Sequence, residues 1–293
     1  MTVFNITEFD VIFLSYDEPN AERHWAVLVE KAPWAKRVHG VKGFDTAHRA
    51  CADLSETDWF VTVDADNLVR PEFFDVQVEF NPEREPLRCF SWSGLNGING
   101  LAYGNGGLKL WSKAFVETMN THENADDPRK AVDFCWEDNY RQIYRIYSDV
   151  WSNGSPYQAF RVGFREGVKL ALNRGERVAA EMMRYVLHPI NLRNLRIWCS
   201  VGAHIENGIW AMYGARLAWS HMCDPHWRHA VVADYDWFEA FWQTIPKFTN
   251  LSEPCDRLGE MIQTKTKIGV PVLAEAQSEF FRDVMTLSNE SAF

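Results

Sequence analysis

The sequence is poor in the features that mark several protein classes. Its six cysteines, at 51, 89, 135, 199, 223 and 255, form no CxxC pair. This argues against a zinc ribbon or a disulfide framework and points to a reducing, cytoplasmic setting. No apolar run approaches the roughly 20 residues that span a bilayer. Met1 to Asp10 lacks the basic and apolar regions of a secretory signal. There is no G-x-x-x-x-G-K-[ST] phosphate loop, no G-x-G-x-x-G after a strand and no H-E-x-x-H, so a P-loop, a dinucleotide fingerprint and that zinc helix are excluded. Repeats and low-complexity tracts are also missing.

What is present is a globular composition. The 293 residues are 46% hydrophobic and 24% charged, enough for one large domain or two small ones. Thirty Lys+Arg against forty Asp+Glu leave a net charge of -10, which argues mildly against a nucleic-acid partner. The charge is uneven, however. From Arg161 to Arg216 there are nine Arg+Lys and four Glu, net +5, so the remainder carries -15. A basic segment on an acidic chain can contact phosphates, and it can equally be a solvated pair of helices. Thirteen tryptophans offer core packing or stacking on sugars and bases.

The first half alternates strands and helices. Strands are expected at Asp10–Ser15, Arg37–Val41 and Asp58–Val63. Helices are expected at Ala21–Lys31, capped by Asn20, and at Asp45–Leu54. Three strands with helical crossovers imply a parallel α/β sheet. Further strands are expected at Arg88–Trp92 and Leu108–Trp111, then a helix from Lys113 to Met119 and a polar loop from His122 to Arg129. A long helix is read from Ala131 to Tyr147. Beyond Ser152-Asn153-Gly154-Ser155-Pro156 the chain turns helical and basic, with helices at Tyr157–Asn173, Glu176–Leu187, Asn207–Ala218 and Tyr235–Trp242. These readings divide the chain into domains 1–152 and 153–293.

Asp64-Ala65-Asp66 follows the third strand directly. Ligands of open parallel sheets bind at the carboxyl ends of the strands. Two carboxylates on a tight turn there suit Mg²⁺ or Mn²⁺, which prefer oxygen and can neutralise a diphosphate leaving group. The same residues also suit simple turn capping. Ser15-Tyr16-Asp17-Glu18, after the first strand, opens on the same edge and could hold a base and ribose. Lys42-Gly43, after the second strand, and His48, one turn into the next helix, are placed for base or phosphate contacts, or for plain solvation. Trp136-Glu137-Asp138, read within a helix, offers one carboxylate as general base, while Glu137 could instead pair with Arg141. None of the histidines at 188, 204, 221, 226 and 229 is singled out as a ligand.

Strand, helix, strand, helix, strand, Asp64-Ala65-Asp66, then Gly106-Gly107-Leu108-Lys109-Leu110-Trp111-Ser112, then Glu137-Asp138 with Arg141, resembles a GT-A-fold glycosyltransferase over residues 8 to 147. The implied fold is a GT-A-like, Rossmann-type mixed sheet with flanking helices, followed by a mainly helical basic half. The wording of two segments is closer still to one family. Val11-Ile12-Phe13-Leu14-Ser15-Tyr16-Asp17-Glu18-Pro19-Asn20 and Ala32-Pro33-Trp34-Ala35-Lys36-Arg37-Val38-His39-Gly40-Val41-Lys42-Gly43 resemble the TET/JBP-associated glycosyltransferases, known chiefly from bacteriophages.

That resemblance implies transfer of a sugar from a UDP-sugar, UDP-glucose first, to 5-hydroxymethylcytosine in DNA, in the host cytoplasm. It implies that Asp64 and Asp66 bind the metal. Ser15, Tyr16, Asp17, Glu18, Lys42, Gly43 and His48 would surround the nucleotide, and Asn105, Gly106 and Gly107 would shape the donor-sugar side. Asp138, with Glu137 second, would be the base of an inverting reaction; in a retaining one it would only orient the acceptor. The chain departs from many GT-A enzymes in having no histidine soon after Glu137-Asp138. Arg161, Arg165, Lys169, Arg193 and Arg196, with Arg174, Arg177 and Arg184, would contact DNA phosphates. Three alternatives stay open: the same fold with a glycan, lipid or protein acceptor; a nucleotidyltransferase, disfavoured because Ser15 to Asn20 has no glycine; and a non-catalytic nucleic-acid-binding module.

Overall fold

The computed structural model describes residues 1–104, 106–133, 135 and 137–291. The chain divides into two compact units. One holds Met1–Gly97 and Ala102–Trp151 with the residues from Ser288 on; the other holds Ile98–Leu101 and Ser152–Leu287.

The first unit contains strands β1 (Thr2–Asn5) and β2 (Asp10–Ser15), helix α1 (Ala21–Lys31), β3 (Lys36–His39), α2 (Phe44–Leu54), β4 (Trp59–Asp64), β5 (Asn67–Val69), β6 (Gln77–Phe80), β7 (Cys89–Asn96), β8 (Ala102–Tyr103), β9 (Leu108–Ser112), α3 (Lys113–Thr118), α4 (Pro128–Val132) and β10 (Tyr140–Val150). Eight strands form one sheet in the order β3-β2-β4-β9-β7-β10-β5, with β8 beside β7. β2 is parallel to β3 and to β4, and β9 runs antiparallel between β4 and β7. β10 is parallel to β7 and antiparallel to β5. The fold class is the expected one, a mixed sheet with flanking helices.

Both faces of this sheet are covered, which is why β2 and β4 read as unbroken apolar runs. Alternation along β4 sends Trp59, Val61 and Val63 to one core with Val11, Phe13, Leu28, Phe73 and Leu110. It sends Phe60 to the other, with Ile12, Cys51, Trp111, Phe115 and Val116. The buried Trp111 indole N–H is satisfied by Thr62 Oγ1 at 2.8 Å.

The structure departs from the sequence reading in three places. The helix expected over Ala131–Tyr147 is absent: after the short α4 the chain enters β10, eleven residues long. Tyr140, Ile143, Tyr144 and Tyr147 have helical spacing, but these residues are β-branched or aromatic, and pairing with β7 and β5 decides the matter. Asn20 does not cap α1 through its side chain; its Nδ2 instead donates to Trp151 O at 2.7 Å. Of the helix expected over Glu176–Leu187, Glu176–Arg177 is instead a strand, and helical structure is confined to a 3-10 turn at Ala180–Met182 and one α-helical turn at Met183–Val186.

In the second unit, α5 (Pro156–Leu170) leads into β11 (Leu172–Asn173) and β12 (Glu176–Arg177), then α6 (Met183–Val186), α7 (Pro189–Trp198), α8 (Gly208–Met222), α9 (Tyr235–Thr244), α10 (Ser252–Thr266) and α11 (Glu275–Ser291). The hairpin turn has φ +53° at Arg174 and +82° at Gly175, the two positive values a tight two-residue turn requires. α5 and α8 approach closely because Gly163, Gly167 and Gly214 present bare backbone: a β-carbon on Gly167 would stand 2.7 Å from Ala215 O. Arg216 is buried and donates to Cys199 O, Cys255 O and Val270 O at 2.8, 2.6 and 2.5 Å. One guanidinium thus ties α8 to α7, α10 and the segment before α11. Among the described residues, no helix is long and apolar enough to cross a membrane.

Candidate active site

Because β2 and β4 are parallel, with Leu14 opposite Asp64, the segments that follow them emerge at one edge of the sheet. Glu18, Asp64 and Asp66 lie at that edge, near enough to repel one another. Burial pushes the Asp64 carboxyl up to about 6; Lys109 opposes this, and repulsion from Asp66 and Glu18 adds to it. Glu18 is also raised, by burial first, against a hydrogen bond from Tyr16 N at 2.7 Å and with repulsion from Asp66 and Asp17. Tyr16 and Asp17 are exposed beside it.

The Asp64-Ala65-Asp66 turn is pinned from several sides. Asp64 N donates to Gly107 O at 3.0 Å, and Trp151 N donates to Asp66 O at 2.7 Å. Asn67 Nδ2 donates to Asp66 Oδ1 at 2.7 Å, and Ser148 Oγ donates to Asn67 Oδ1 at 2.8 Å. From α1, the buried His24 donates through Nδ1 to Ala65 O at 2.8 Å, and burial lowers the pKa of its imidazole. Gly107 and Gly106 bring backbone close. A β-carbon on Gly107 would lie 2.8 Å from Asp64 Oδ2 and against Asn67 Nδ2; one on Gly106 would lie 2.8 Å from Trp92 O.

The remaining expected nucleotide contacts are placed less uniformly. Ser15 lies at the same edge, but its hydroxyl is engaged by Arg37 Nε at 3.0 Å and by His39 Nδ1 at 3.0 Å. Lys42 is exposed, and Gly43 forms the N-cap of α2. Asn105 lies outside the described residues. His48 is not at the edge: it is buried between the Phe44 and Trp111 rings, with centroids at 4.1 and 4.6 Å, and its Nδ1 donates to Phe44 O at 2.8 Å. Burial drives its pKa down to about 3, helped by Lys109 and opposed by the Phe44 bond. It is a neutral core histidine rather than a diphosphate contact.

The largest correction concerns Glu137 and Asp138. They stand in the turn before β10, whose first residue, Tyr140, is level with Cys89 on β7, then Trp111 on β9, then Phe60 on β4. Phe60 is four residues short of Asp64, so even Tyr140 is roughly 13 Å down the sheet from the carboxylate cluster. Asp138 lies at the opposite edge and cannot serve a reaction at Asp64. Glu137 pairs with Lys130 at 2.8 Å rather than with Arg141, whose guanidinium lies over the Phe90 ring at 5.8 Å.

Two residues at the site were not singled out from sequence. His24 reads simply as one position on the buried face of α1. Lys109 sits between two leucines on β9 and is only 5% exposed. Strand alternation puts it on the face of Trp111, and that inward lysine was the available signal.

The groups at this edge are oxygen donors of the kind hard divalent cations prefer, and Asn20 Oδ1 is buried without a partner where Asn20 holds Trp151. Among the described residues, however, no group of three or more His, Cys, Asp or Glu side chains is gathered closely enough to hold a metal ion.

In the second unit the expected basic residues separate into two sets. On α5, Arg161 lies over the Tyr157 and Tyr235 rings, Arg165 is half-buried, and Lys169 is paired with Glu166 at 2.6 Å. Arg177 turns inward, donating to Met222 O and Asp224 O at 2.8 and 2.9 Å and to Trp227 O, so it is no phosphate contact. Arg193 and Arg196 are exposed on α7, and the fold gathers Arg174 and Arg184 with them around one cavity of this unit.

No protein-family model matches the chain. No curated protein matches it either. Among solved structures, the chain is similar to a glycosyltransferase involved in the glycosylation of the major capsid of PBCV-1, at 12% identity and a TM-score of 0.31, over 46% of this chain and 82% of that one. A likeness of that size does not by itself establish a shared fold or a shared activity.

Proposed function

We infer that the protein is a metal-dependent glycosyltransferase that moves a sugar from a UDP-sugar to the hydroxymethyl group of 5-hydroxymethylcytosine in DNA. The observation that carries the reading is the mutual repulsion of Glu18, Asp64 and Asp66 at the carboxyl edge of adjacent parallel strands, with the Gly107 backbone laid against Asp64. Such an edge is where an open α/β sheet binds ligands. The resemblance in wording around Ser15–Glu18 and Lys42-Gly43 supports the donor, and the exposed arginines of the second unit support a polyanionic acceptor.

In this reading Asp64 and Asp66, with Glu18 nearby, would hold Mn²⁺ or Mg²⁺, which would supply charge neutralisation to the diphosphate leaving group. Tyr16 offers an exposed ring for the base, and Lys42 is an exposed cationic residue after the second parallel strand. His24 and Gly107 hold the backbone of the acidic turn from which Asp64 and Asp66 project. In the transfer, the bond between sugar C1 and the diphosphate oxygen breaks and a bond from C1 to the acceptor oxygen forms. UDP departs, and the hydroxyl proton passes to a base or to water. Asp138 has no part in it.

The test is a transfer assay on duplex DNA containing 5-hydroxymethylcytosine, with UDP-glucose, UDP-galactose or UDP-N-acetylglucosamine, Mn²⁺, and an EDTA control. The digested nucleosides are then weighed by mass spectrometry. A hexose added only with metal is the expected result. UDP release without a DNA product moves the acceptor to a glycan, lipid or protein. No consumption of any donor overturns the reading and favours a nucleic-acid-binding module.

A further inference from the structure

The second unit contains an open cavity of about 930 Å³ between the β11–β12 turn, α6, α7 and α11. Four arginines line it: Arg174, Arg184, Arg193 and Arg196. They come from the tight turn, from α6 and from α7, so their convergence is a product of the fold and not of sequence spacing. No Asp or Glu lines the cavity. Arg174, Arg184 and Arg196 form no ion pair among the described residues, and Arg193 donates to the neutral Asn194 Oδ1 at 3.1 and 3.0 Å. Four positive charges without a counter-charge repel one another, and an anion in the cavity would relieve that repulsion.

Apart from Asn173, His188 and Ser200, the rest of the lining is mostly apolar, with Leu273 and Phe281 among it. Tyr185 also lines it and is 77% exposed, far more than its apolar ring favours without a partner. A ligand that satisfies both halves carries several phosphates and at least one flat apolar group. A strand of nucleic acid with unstacked bases has this chemistry, because its phosphates track a cationic rim while its bases stack on aromatic rings. An anionic bilayer has the charge, but it presents a flat surface, and here the arginines surround a hollow.

We propose that this cavity binds single-stranded nucleic acid, with phosphates on the four arginines and a base against Tyr185. The proposal deepens the acceptor half of the function inferred above and rests on that reading for its biological role. Its physical argument belongs to the second unit alone. It also divides the basic residues: the α7 arginines engage the strand, whereas Lys169, already paired on α5, does not.

The experiment is fluorescence anisotropy of a labelled oligothymidylate titrated with the full chain at several salt concentrations. Each phosphate contact on a single strand contributes about 0.7 to the slope of log K against log salt. Replacing two arginines together, Arg184→Ala with Arg196→Ala, should therefore lower the slope by about 1.4. Tyr185→Ala should weaken binding about tenfold with the slope unchanged, as loss of one stacked base requires. All three side chains are exposed, so the variants should keep the parent's circular dichroism and melting temperature.

The proposal is overturned if the parent does not bind the oligonucleotide, or if neither variant changes affinity or slope. It is also overturned if phosphatidylserine vesicles bind and the oligonucleotide does not compete with them. UDP-sugar consumption, measured on the same preparations, keeps the two readings apart. Donor turnover without oligonucleotide binding sinks the cavity proposal and leaves the carboxylate site standing. Oligonucleotide binding without donor turnover does the reverse.

Discussion

The backbone of Gly107 rests against the carboxylate of Asp64: a β-carbon at Gly107 would lie 2.8 Å from Oδ2, while Asp64 N donates to Gly107 O at 3.0 Å. Gly107 also has φ +73°, a conformation that L side chains rarely adopt. Gly107→Ala therefore meets strain and collision together. It should lower stability by about 1–3 kcal/mol in urea denaturation and abolish donor turnover in whatever fraction remains folded. An unchanged urea midpoint with full turnover would show that the glycine is not needed there.

Asp64 is held above the usual carboxylate range, at about 6. For such a group the fold favours the protonated form, so the ionised carboxylate costs stability increasingly from about pH 4 to 6 and fully above. Asp64→Asn should thus stabilise the protein at pH 7, by on the order of 2 kcal/mol, and much less at pH 4, while abolishing transfer. Urea midpoints at the two pH values check this. A less stable variant at pH 7 would sink the account of the charge cluster.

Metal binding should be visible without turnover. A cation bound to the folded state alone raises the melting temperature with its concentration. Mn²⁺ should raise it in the parent and much less in Asp64→Asn or Asp66→Asn, as read by differential scanning fluorimetry. Equal shifts in all three would place the ion elsewhere.

His48 works in the opposite pH direction from Asp64. In the fold its pKa of about 3 lies well below the ordinary imidazole value of 6.5. Below 6.5 the unfolded chain binds a proton that the folded chain refuses, so the stability is present above 6.5 and is lost as the pH falls toward 3. The slope is about 1.4 kcal/mol per pH unit. His24, also lowered, adds to the effect. Between pH 7 and pH 5, His48→Phe should lose about 1–2 kcal/mol less than the parent. The same loss in both proteins would mean that His48 is protonated in the fold.

Asp138→Asn separates the sequence expectation from the structure. A general base should cost orders of magnitude in kcat when removed. A residue at the far edge of the sheet should leave kcat within about twofold, because it touches nothing that reacts. Steady-state transfer kinetics decide between them.

The parts of this fold that were legible in the sequence are those where local pattern and tertiary environment agree. Asp10–Ser15 and the Trp59–Asp64 strand are apolar because both faces of the sheet are covered, so composition alone revealed them. The Ser112 cap of α3 was also readable, and its side chain accepts from Phe115 N at 3.0 Å. β10 was not, because its aromatic residues fall at helical spacing and only the neighbouring strands β7 and β5 tell the chain to extend.

The same division holds at the site. Asp64-Ala65-Asp66 after a buried strand was visible because the motif is contiguous, and topology then brings Glu18 to it across parallel neighbours. His24, Lys109 and the four-arginine cavity were not visible as a set, since each depends on residues far apart in sequence. Glu137-Asp138 was legible as a motif and misplaced as a position. Sequence by itself determined the class of fold, the parallel strands and the acidic turn, because hydrophobic periodicity and short-range motifs are local properties. Only the tertiary structure decided which end of the sheet each carboxylate occupies, which histidines are buried and neutral, and which arginines share a cavity. Strand register and burial are set by partners that no local stretch of sequence contains.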